Sequence, residues 1–323
     1  NTPGAIIDWN SFSIGQDEIT RFIQQSSSSA VLNRVTGGNL SEILGGLQSN
    51  GRVFLINPNG LIMGESAVID TAGFIGSTLN ISNDAFSSGN YAFNGEGGAI
   101  ENRGLIHVTG DGDIALIATS VENSGVLRTD NGDILLAAGR SVSVSFDGLQ
   151  NLSFEVQAPE NKVINLGQIV ARGGNASLLG GHVSNSGNVE LIESPEGRIF
   201  LQATDLTTVS GSLTTTGGDI HMEGRQLELH NATLTTGGRG IAGDISLLGD
   251  NVGVFAGSTV DASGDSGGGT ILIGGEQQGR GDTRTSEFVY LDKDATVSAD
   301  GGSDGDGGTV ILFANNTARI HGQ

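Results

Sequence analysis

The sequence predicts an all-β solenoid, and three observations favour this fold class. A short unit with an Asn-x-Gly turn and two short apolar strands returns at intervals of about twenty residues, as in stacked repeats. Glycine accounts for 54 of the 323 residues and proline for 4, which indicates many tight turns and excludes collagen triplets. The repeating unit shows strand and turn patterns and no helical period. A chain of this length can bury a large core that is spread along the solenoid.

The repeat is clearest where two copies follow each other directly. The second strand of one copy contains Ile114 and Leu116, and that of the next contains Ile134 and Leu136. The same strand returns later at Ile199/Leu201, Ile220/Met222, Ile245/Leu247, Ile271/Ile273 and Val310/Leu312. We expect these residues to stack inward in successive coils.

One domain is predicted over residues 1–323, in which an N-terminal cap at 1–56 precedes coils at 57–323. A solenoid needs a cap because its first coil otherwise presents unpaired strand edges to other chains. Two stretches break the repeat, at 77–99 and 141–157, and each is expected to leave the coils and pack on their flank. The second has two alternating runs around Asp147-Gly148, which predicts a hairpin.

Within the cap, the sequence predicts one strand and two short helical turns. The strand covers about Ala5 to Trp9. Ile19, Phe22 and Ile23 have the spacing of one helical face, and a second turn is predicted at residues 41–47. No cap follows the last coil, so the natural protein is expected to continue beyond this sequence.

The charge balance limits the classes of partner. There are 15 basic and 36 acidic residues and the net charge is −21, which argues against binding to nucleic acid or anionic membranes. Cysteine is absent, which suits a long exported chain because no disulfide can lock it before it crosses a membrane. No run of about 18 apolar residues is present, so the sequence predicts no membrane-spanning helix.

The sharpest local motif is Asn57-Pro58-Asn59-Gly60, which directly follows an apolar strand at 53–56. Proline presets φ at the second position of a β-turn, and Asn and Gly accept the backbone angles that follow. From turn chemistry alone, the motif predicts a tight corner between two strands.

With this motif in place, the chain resembles the N-terminal secretion domain of two-partner-secreted exoproteins, the filamentous haemagglutinin family. The blocks that carry the resemblance are Ala30-Val31-Leu32-Asn33-Arg34-Val35, Gly51-Arg52-Val53-Phe54-Leu55-Ile56-Asn57-Pro58-Asn59-Gly60-Leu61, Phe74-Ile75-Gly76-Ser77-Thr78 and Ala158-Pro159-Glu160-Asn161. The resemblance covers nearly the whole chain, is most specific over residues 5–80, and is greatest to the high-molecular-weight adhesin branch. An Asn-Pro-Asn-Leu motif that some members carry is missing, which fits that branch.

The resemblance implies a right-handed parallel β-helix that reaches the periplasm by the general secretory route. An outer-membrane TpsB-type β-barrel transporter with periplasmic recognition domains would bind the unfolded chain and pass it to the cell surface or the medium. The resemblance also implies that Asn57-Pro58-Asn59-Gly60 is needed for secretion, either as a signal that the transporter recognises or for folding, and we expect the folding role. Asn33-Arg34-Val35 is a candidate secretion or cap segment.

Enzymes also use β-helices, and paired carboxylates on an outer sheet face would be their mark. The candidate pairs here are Asp111/Asp113, Asp130/Asp133 and Asp292/Asp294, all of which lie in or beside Gly-rich turns. The aromatic platforms of sugar clefts are scarce, with one Trp and two Tyr in the chain. The acidic turn at 301–306 and five scattered histidines lack the spacing of a metal site. We therefore expect no catalytic residue, no cofactor and no metal.

Arg280-Gly281-Asp282 spells the integrin-recognition tripeptide within a longer polar loop at 274–287. Loops on rigid scaffolds are where binding residues tend to lie. Three-residue matches are frequent by chance in Gly- and Asp-rich sequence. The tripeptide is therefore only a candidate cell-binding loop.

Together these patterns predict a non-enzymatic secretion domain of a large surface-exposed or released bacterial exoprotein. Its parent is expected to be an adhesin that binds a host or bacterial surface receptor through downstream sequence. Two alternatives stay open. In one, the same domain precedes a haemolysin or a contact-dependent toxin, and in the other the solenoid is a polysaccharide lyase or hydrolase.

Overall fold

The computed structural model describes residues 4–144, 161–303 and 305–322, together with the backbone of 153–155. Within this part of the chain nearly all regular structure is β-strand, apart from one α-helix of six residues and one 3₁₀ turn.

The chain forms two compact units, Asn1–Gly181 and His182–Gln323. In both units the coil strands pair in parallel, as in a β-helix. The prediction of an all-β parallel β-helix is confirmed, whereas a single domain over residues 1–323 stays a prediction.

The first unit contains most of the short strands. The elements up to residue 185 are β1 (Ala5–Trp9), β2 (Ile19–Phe22), β3 (Ala30–Val35), β4 (Ser41–Ile43), β5 (Gly46–Ser49), β6 (Arg52–Ile56), β7 (Leu61–Met63), β8 (Val68–Thr71), β9 (Gly73–Ser77), β10 (Asn80–Ile81), α1 (Asn83–Ser88), β11 (Tyr91–Asn94), β12 (Ala99–Asn102), β13 (Leu105–Val108), β14 (Ile114–Ala118), β15 (Ser120–Asn123), β16 (Val126–Thr129), β17 (Ile134–Ala138), β18 (Ser141–Val144), β19 (Ser153–Glu155), β20 (Lys162–Asn165), β21 (Gln168–Arg172) and β22 (Ala176–Asn185).

Three parallel ladders run through this unit, and each full coil contributes one strand to each. The first ladder joins β1, β3, β6, β9, β14 and β17. The second joins β4, β7, β12, β15 and β20, and the third joins β2, β5, β8, β13, β16 and β21. Ile114 lies directly opposite Ile134 and Leu116 opposite Leu136, so the predicted stacking of these residues is confirmed.

The described strands of both breaks pair outside the coil ladders, as predicted. They join in one antiparallel sheet of β10, β11, β18 and β19, in which Phe93 of β11 lies opposite Val142 of β18. The hairpin is confirmed by the antiparallel pairing of β18 with β19. Its predicted turn at Asp147-Gly148 lies outside the described residues.

This antiparallel sheet and α1 cover an outer face of the coils. The Phe54 ring of β6 lies 5.1 Å from that of Phe86 in α1 and 5.0 Å from that of Tyr91 in β11, measured between centroids. All five residues of β14 and all five of β17 are buried. Continuous apolar runs such as these therefore mark the ladder whose two faces are both covered.

The two helical turns predicted in the cap are wrong. Residues 19–22 form β2, and most of 41–47 lies in β4 and β5. Phe22 is buried while Ile19 and Ile23 are 64% and 72% exposed, so the three side chains do not share one apolar face. In segments this short, pairing with the next coil decides the conformation, because Ile19 lies opposite Gly46 and Ile43 opposite Met63.

The predicted boundary at residue 56 has no counterpart in the strand pairing. The cap strands β1 and β3 continue in register into β6, since Val31 lies opposite both Ala5 and Val53. The first strands of the chain are therefore rungs of the same ladders as the later coils.

The second unit has longer strands. Its elements are β23 (Asn188–Ile192), β24 (Arg198–Val209), β25 (Ser212–Thr214), β26 (Asp219–Leu229), β27 (Thr233–Thr235), β28 (Ile245–Val254), β29 (Thr259–Asp261), β30 (Thr270–Ile273), β31 (Phe288–Leu291), β32 (Thr296–Ser298), β33 (Thr309–Leu312) and β34 (Thr317–Ile320), with the 3₁₀ turn at Gln277–Gly279.

In this unit β24, β26 and β28 each take part in two ladders. Their first halves continue through β30 and β33, and the second half of β28 continues through β31 and β34. The third ladder joins β23, β25, β27, β29 and β32. Ile199, Ile220, Ile245, Ile271 and Val310 are successive register partners, as are Leu201, Met222, Leu247, Ile273 and Leu312. The stacking predicted from their spacing is confirmed.

Candidate functional site

The Asn57-Pro58-Asn59-Gly60 motif forms a β-turn between β6 and β7. The Gly60 N–H donates to the Asn57 carbonyl oxygen at 3.1 Å, which closes the turn. Pro58 supplies the preset φ, and Gly60 has φ 128°, a value that favours glycine. The tight corner predicted from turn chemistry is present.

Asn57 is the interior anchor of this turn, and its side chain is fully buried. Its Nδ2 donates to the Asn39 carbonyl oxygen at 3.0 Å and to Ser41 Oγ at 2.9 Å. Its Oδ1 accepts from the backbone N–H and from Nδ2 of Asn59, both at 3.0 Å. An amide side chain has two donor hydrogens and two acceptor positions, so every hydrogen-bonding position of Asn57 is used within the chain.

The outer half of the turn consists of Pro58 and Asn59, whose side chains are exposed. The turn is also held by its neighbours, because Asn59 Nδ2 donates to Gly37 O at 2.8 Å and Gly98 N–H donates to Pro58 O at 2.8 Å. A Cβ on Gly98 would lie 2.6 Å from Asn59 O, so the backbones approach too closely for any other residue. Within the motif, only the side chains of Pro58 and Asn59 are exposed and accessible to a partner.

The second candidate segment, Asn33-Arg34-Val35, lies in β3 next to this turn, because Arg34 pairs with Ile56. The Asn33 side chain is fully buried and accepts from Trp9 Nε1 at 3.0 Å, while its Nδ2 donates to Phe54 O at 3.2 Å. Val35 is also buried. The structure thus brings the two sequence blocks together, with most of their polar groups turned toward their own chain.

Arg34 ties the coils to the segment that leaves them. One guanidinium nitrogen donates to Ile81 O at 2.8 Å and to Asn83 Oδ1 at 2.9 Å, and the other lies 3.2 Å from Asp8 Oδ1. Residues 81 and 83 lie at the end of β10 and the start of α1. Arg34 therefore fixes the flanking segment to the coils, a role that the sequence block Asn33-Arg34-Val35 alone did not reveal.

The candidate cell-binding loop lies between β30 and β31 in the second unit. Arg280, Gly281 and Asp282 are all exposed. Gly281 has φ 107°, and a Cβ there would lie 2.4 Å from Oε2 of Glu276. The loop therefore displays the tripeptide on a backbone shape that glycine permits.

The acidic pairs proposed from the sequence are used as turn hydrogen-bond acceptors. Asp113 Oδ1 accepts from the Asp133 N–H at 2.9 Å, and Asp133 Oδ1 accepts from the Asn175 N–H at 2.7 Å. Burial raises the pKa of the Asp113 carboxyl to about 6 and also raises the pKa of Asp133. The two groups form a carboxylate ladder from coil to coil that sequence reasoning missed.

The remaining aspartates of the candidate pairs also form contacts within their own chain. Asp111 accepts from Asn131 Nδ2 at 2.6 Å, and Asp130 lies 3.1 Å from His107 Nε2. Asp292 accepts from the Asp294 N–H at 3.0 Å and from the Tyr290 hydroxyl at 2.9 Å, and these hydrogen bonds lower its pKa. These contacts explain the acids as parts of turns.

A ladder of buried asparagines explains the Asn-x-Gly phrase of the repeat. Asn102 Nδ2 donates to Asn123 Oδ1, and Asn123 Nδ2 donates to Asn165 Oδ1, each at 2.8 Å. Asn102 Nδ2 also donates to the carbonyl oxygen of Gly104, two residues on, at 3.2 Å. The Asn-x-Gly repeat predicts a turn from the sequence alone. The hydrogen bonds between asparagine amides follow only from the register of the coils.

Over the described residues, no helix is long and apolar enough to cross a membrane. The same residues contain no group of three or more His, Cys, Asp or Glu side chains placed to hold a metal ion.

Comparisons with known proteins agree with this architecture. Residues 2–171 match the model of the TPS secretion domain family. The crystal structure of the HMW1 secretion domain from Haemophilus influenzae is similar over 100% of this chain and 92% of that one, with a TM-score of 0.83 and 31% identity.

Two curated relatives are heme/hemopexin-binding proteins of Haemophilus influenzae. One is 34% identical over 180 residues, which cover 53% of this chain and 20% of that protein. The other is 43% identical over 89 residues, which cover 28% of this chain and 10% of that protein. The chain thus matches a fifth or less of the length of these relatives. The family match over more than half of the residues shows that the chain belongs to the TPS secretion domains, the domains of exoproteins that two-partner secretion carries across the outer membrane to the cell surface or the extracellular space.

Proposed function

We propose that this chain nucleates the folding of its exoprotein during secretion, and that Asn57-Pro58-Asn59-Gly60 acts through this folding. The observation that supports it is the complete use of the Asn57 amide by its own chain. Because the four hydrogen bonds of this buried amide all go to its own chain, they fix the corner between β6 and β7, and the motif thereby stabilises the coils that form after the chain leaves the transporter.

The physical mechanism is growth of the ladders one coil at a time. Each strand that emerges pairs with the preceding one, as β6 pairs with β3 and β9 with β6, and buries its apolar residues in the stack. Because the folded coils cannot return through a pore, we infer that this growth biases translocation outward.

The partner in this process is an outer-membrane transporter of the TpsB type, and we propose that its periplasmic recognition domains bind the chain before it folds. We further propose that the domain itself has no enzymatic activity. Its stacked acids support this proposal, since Asp113 and Asp133 are committed to backbone N–H groups. A purified domain that shortens a polysaccharide would contradict it.

For the parent protein we propose an adhesin. Two other parents remain candidates. The curated relatives favour a heme/hemopexin-binding protein, and the same kind of domain also suits a haemolysin or contact-dependent toxin. The sequence that follows this domain in the natural protein distinguishes the three.

The folding role of the turn is tested by a pair of variants in a secretion assay. The chain is expressed with its transporter, and the secreted fraction and the thermal midpoint of the purified protein are measured. Asn57→Ala should lower both, because it removes four hydrogen bonds of a buried amide. Pro58→Ala, on the exposed half of the same turn, should leave secretion close to that of the wild type.

The opposite pattern would contradict the folding role. If Pro58→Ala abolishes secretion while its thermal midpoint is unchanged, the transporter recognises the motif itself.

We also propose, as a separate contribution to adhesion, that the exposed Arg280-Gly281-Asp282 loop binds integrins. Asp282→Ala should then reduce cell attachment to the purified domain, and Asp265→Ala in another turn serves as the control. Unchanged attachment by Asp282→Ala would remove this proposal and leave the secretion role untouched.

A further inference from the structure

The outer face of the second unit carries a group of rings that the sequence scatters. The register of β26, β28, β31 and β34 places these outward-facing residues in one row: Glu228, Gly253, Tyr290 and Arg319. The neighbouring row contains Gln226, Asn251, Phe288 and Thr317. Phe288 is 48% exposed, so its ring presents apolar surface to the solvent on this face.

Gly253 makes room for an additional ring on this face. A Cβ at Gly253 would lie 2.6 Å from Cε2 of Phe255, so the Phe255 ring lies over the glycine. The Phe255 ring stacks on the His230 imidazole, with centroids 4.5 Å apart and planes 4° from parallel. It also lies 5.5 Å from the Tyr290 ring. Three rings therefore follow one another along the ladder.

A groove of about 390 Å³ opens over the rings of Phe255 and Tyr290. We call it the ring groove, and its lining includes Phe255, Phe288, Tyr290, Asn251, Glu228 and Arg319. This volume lies in the range of small-molecule sites, which combine apolar walls with a few polar groups. The ring groove has both components.

The chemistry of the ring groove restricts its occupant. In the floor of the groove the backbone groups of β26, β28 and β31 are already paired on both sides along the parallel ladder, so a peptide cannot add as a new strand between them. Nucleic acid bases stack on rings too, but they need a basic groove for their phosphates. Among its described lining residues Arg319 is the only cation, and Glu228 offsets it. The balance favours an uncharged ligand.

We propose that the ring groove binds a neutral oligosaccharide. The apolar C–H face of a sugar ring fits against Phe255, Phe288 and Tyr290, since exposed rings bury large apolar surfaces. The hydroxyl groups of the sugar fit the side chains at the rim, which offer an amide at Asn251, a carboxylate at Glu228 and a guanidinium at Arg319. This binding is separate from secretion and gives the domain a contact of its own with a glycan surface.

The experiment is a calorimetric titration of the purified chain with two neutral tetrasaccharides, cellotetraose and chitotetraose, and with a heparin tetrasaccharide as the charged comparison. We expect saturable binding of at least one neutral tetrasaccharide. Phe288→Ala should weaken this binding about tenfold, the effect of losing one well-placed ring contact. Phe288 is the chosen position because its ring is half exposed, so its removal spares the core.

Phe200→Ala is the matched control. Phe200 is a partly exposed ring on β24 that lies 5.2 Å from the ring of His221, and it does not line the ring groove. The Phe200→Ala variant should bind the neutral tetrasaccharide with the affinity of the wild type.

Four results would overturn the proposal. The first three are no binding of either neutral tetrasaccharide, binding of the heparin tetrasaccharide alone, and an equal loss of affinity in Phe288→Ala and Phe200→Ala. A concentration-dependent dimer that Phe288→Ala dissociates would also overturn it, since a second copy of the chain would then occupy the groove.

Discussion

Replacement of Asn123 by alanine tests the asparagine ladder, the least obvious source of stability in the coils. Asn123 is fully buried and lies in the middle of the ladder. Its Oδ1 accepts from Asn102 and its Nδ2 donates to Asn165, both at 2.8 Å. Alanine removes both amide contacts and leaves a space where the amide was.

The expected cost follows from these two contacts. Each hydrogen bond contributes about 1 kcal/mol net, and a buried polar group left without its partner costs about 1–3 kcal/mol. Asn102 keeps its bond to Gly104 O, so the total should be about 2–3 kcal/mol. For a denaturant slope near 3 kcal/mol per M, the urea midpoint should fall by about 1 M.

The assay is urea unfolding followed by circular dichroism, with Asn131→Ala as the control. Asn131 lies in an exposed turn and donates to Asp111 Oδ1 at 2.6 Å. Its replacement should change the free energy of unfolding by about 0.5 kcal/mol or less, as for most surface substitutions. If Asn123→Ala unfolds at the same urea concentration as the wild type, the stacked amides do not stabilise the coils.

Two further predictions concern the same unit. Burial raises the pKa of Asp113 to about 6, above its unfolded value near 4, so its contribution to stability is greatest below pH 4 and is lost as pH rises through 6. Asp113→Asn should therefore flatten the change in urea midpoint between pH 4 and 7.5, and an unaltered pH profile would contradict this. Arg34→Ala should cost about 2 kcal/mol, because a charged donor to Ile81 O and Asn83 Oδ1 is lost, and it should speed hydrogen exchange in β11. Asp8→Ala, which removes only an exposed ion-pair partner of Arg34, should cost less than about 1 kcal/mol, and equal costs would contradict this role of Arg34.

The inward rows of the solenoid were predictable from the sequence. Ile220 and Ile245 stand opposite each other because a two-residue alternation and a regular turn fix which side chains point inward. The tight corner at Asn57 was also predictable from local chemistry, since Pro58 presets φ and Gly60 accepts a positive φ.

The predictions from sequence were wrong or incomplete where strands that are distant in the sequence pair and so decide the local structure. Ile19, Phe22 and Ile23 have helical spacing, yet the strand that pairs beside them sets their conformation. The burial of Asn57, like the contacts of Arg34 with the flanking segment, depends on which coil lies alongside. No local sequence pattern predicts which residues of neighbouring coils lie opposite each other.

The contacts across coils were also hidden by sequence distance. Phe255 and Tyr290 are 35 residues apart, and β29, β30 and the loop at 274–287 lie between them in the sequence. Composition suggested that aromatic platforms were scarce, but the ladder gathers Phe255, Phe288 and Tyr290 on one face.

The central proposal is that growth of the stacked coils biases translocation of this domain outward across the outer membrane. The most direct measurement is the amount of Ile134→Asp variant that reaches the medium when the chain is expressed with its transporter. Ile134 is fully buried between Ile114 and Ala176, so a carboxylate there should stall the ladder and lower secretion well below that of the exposed control Arg128→Asp. Secretion of Ile134→Asp at the level of the control would contradict the claim.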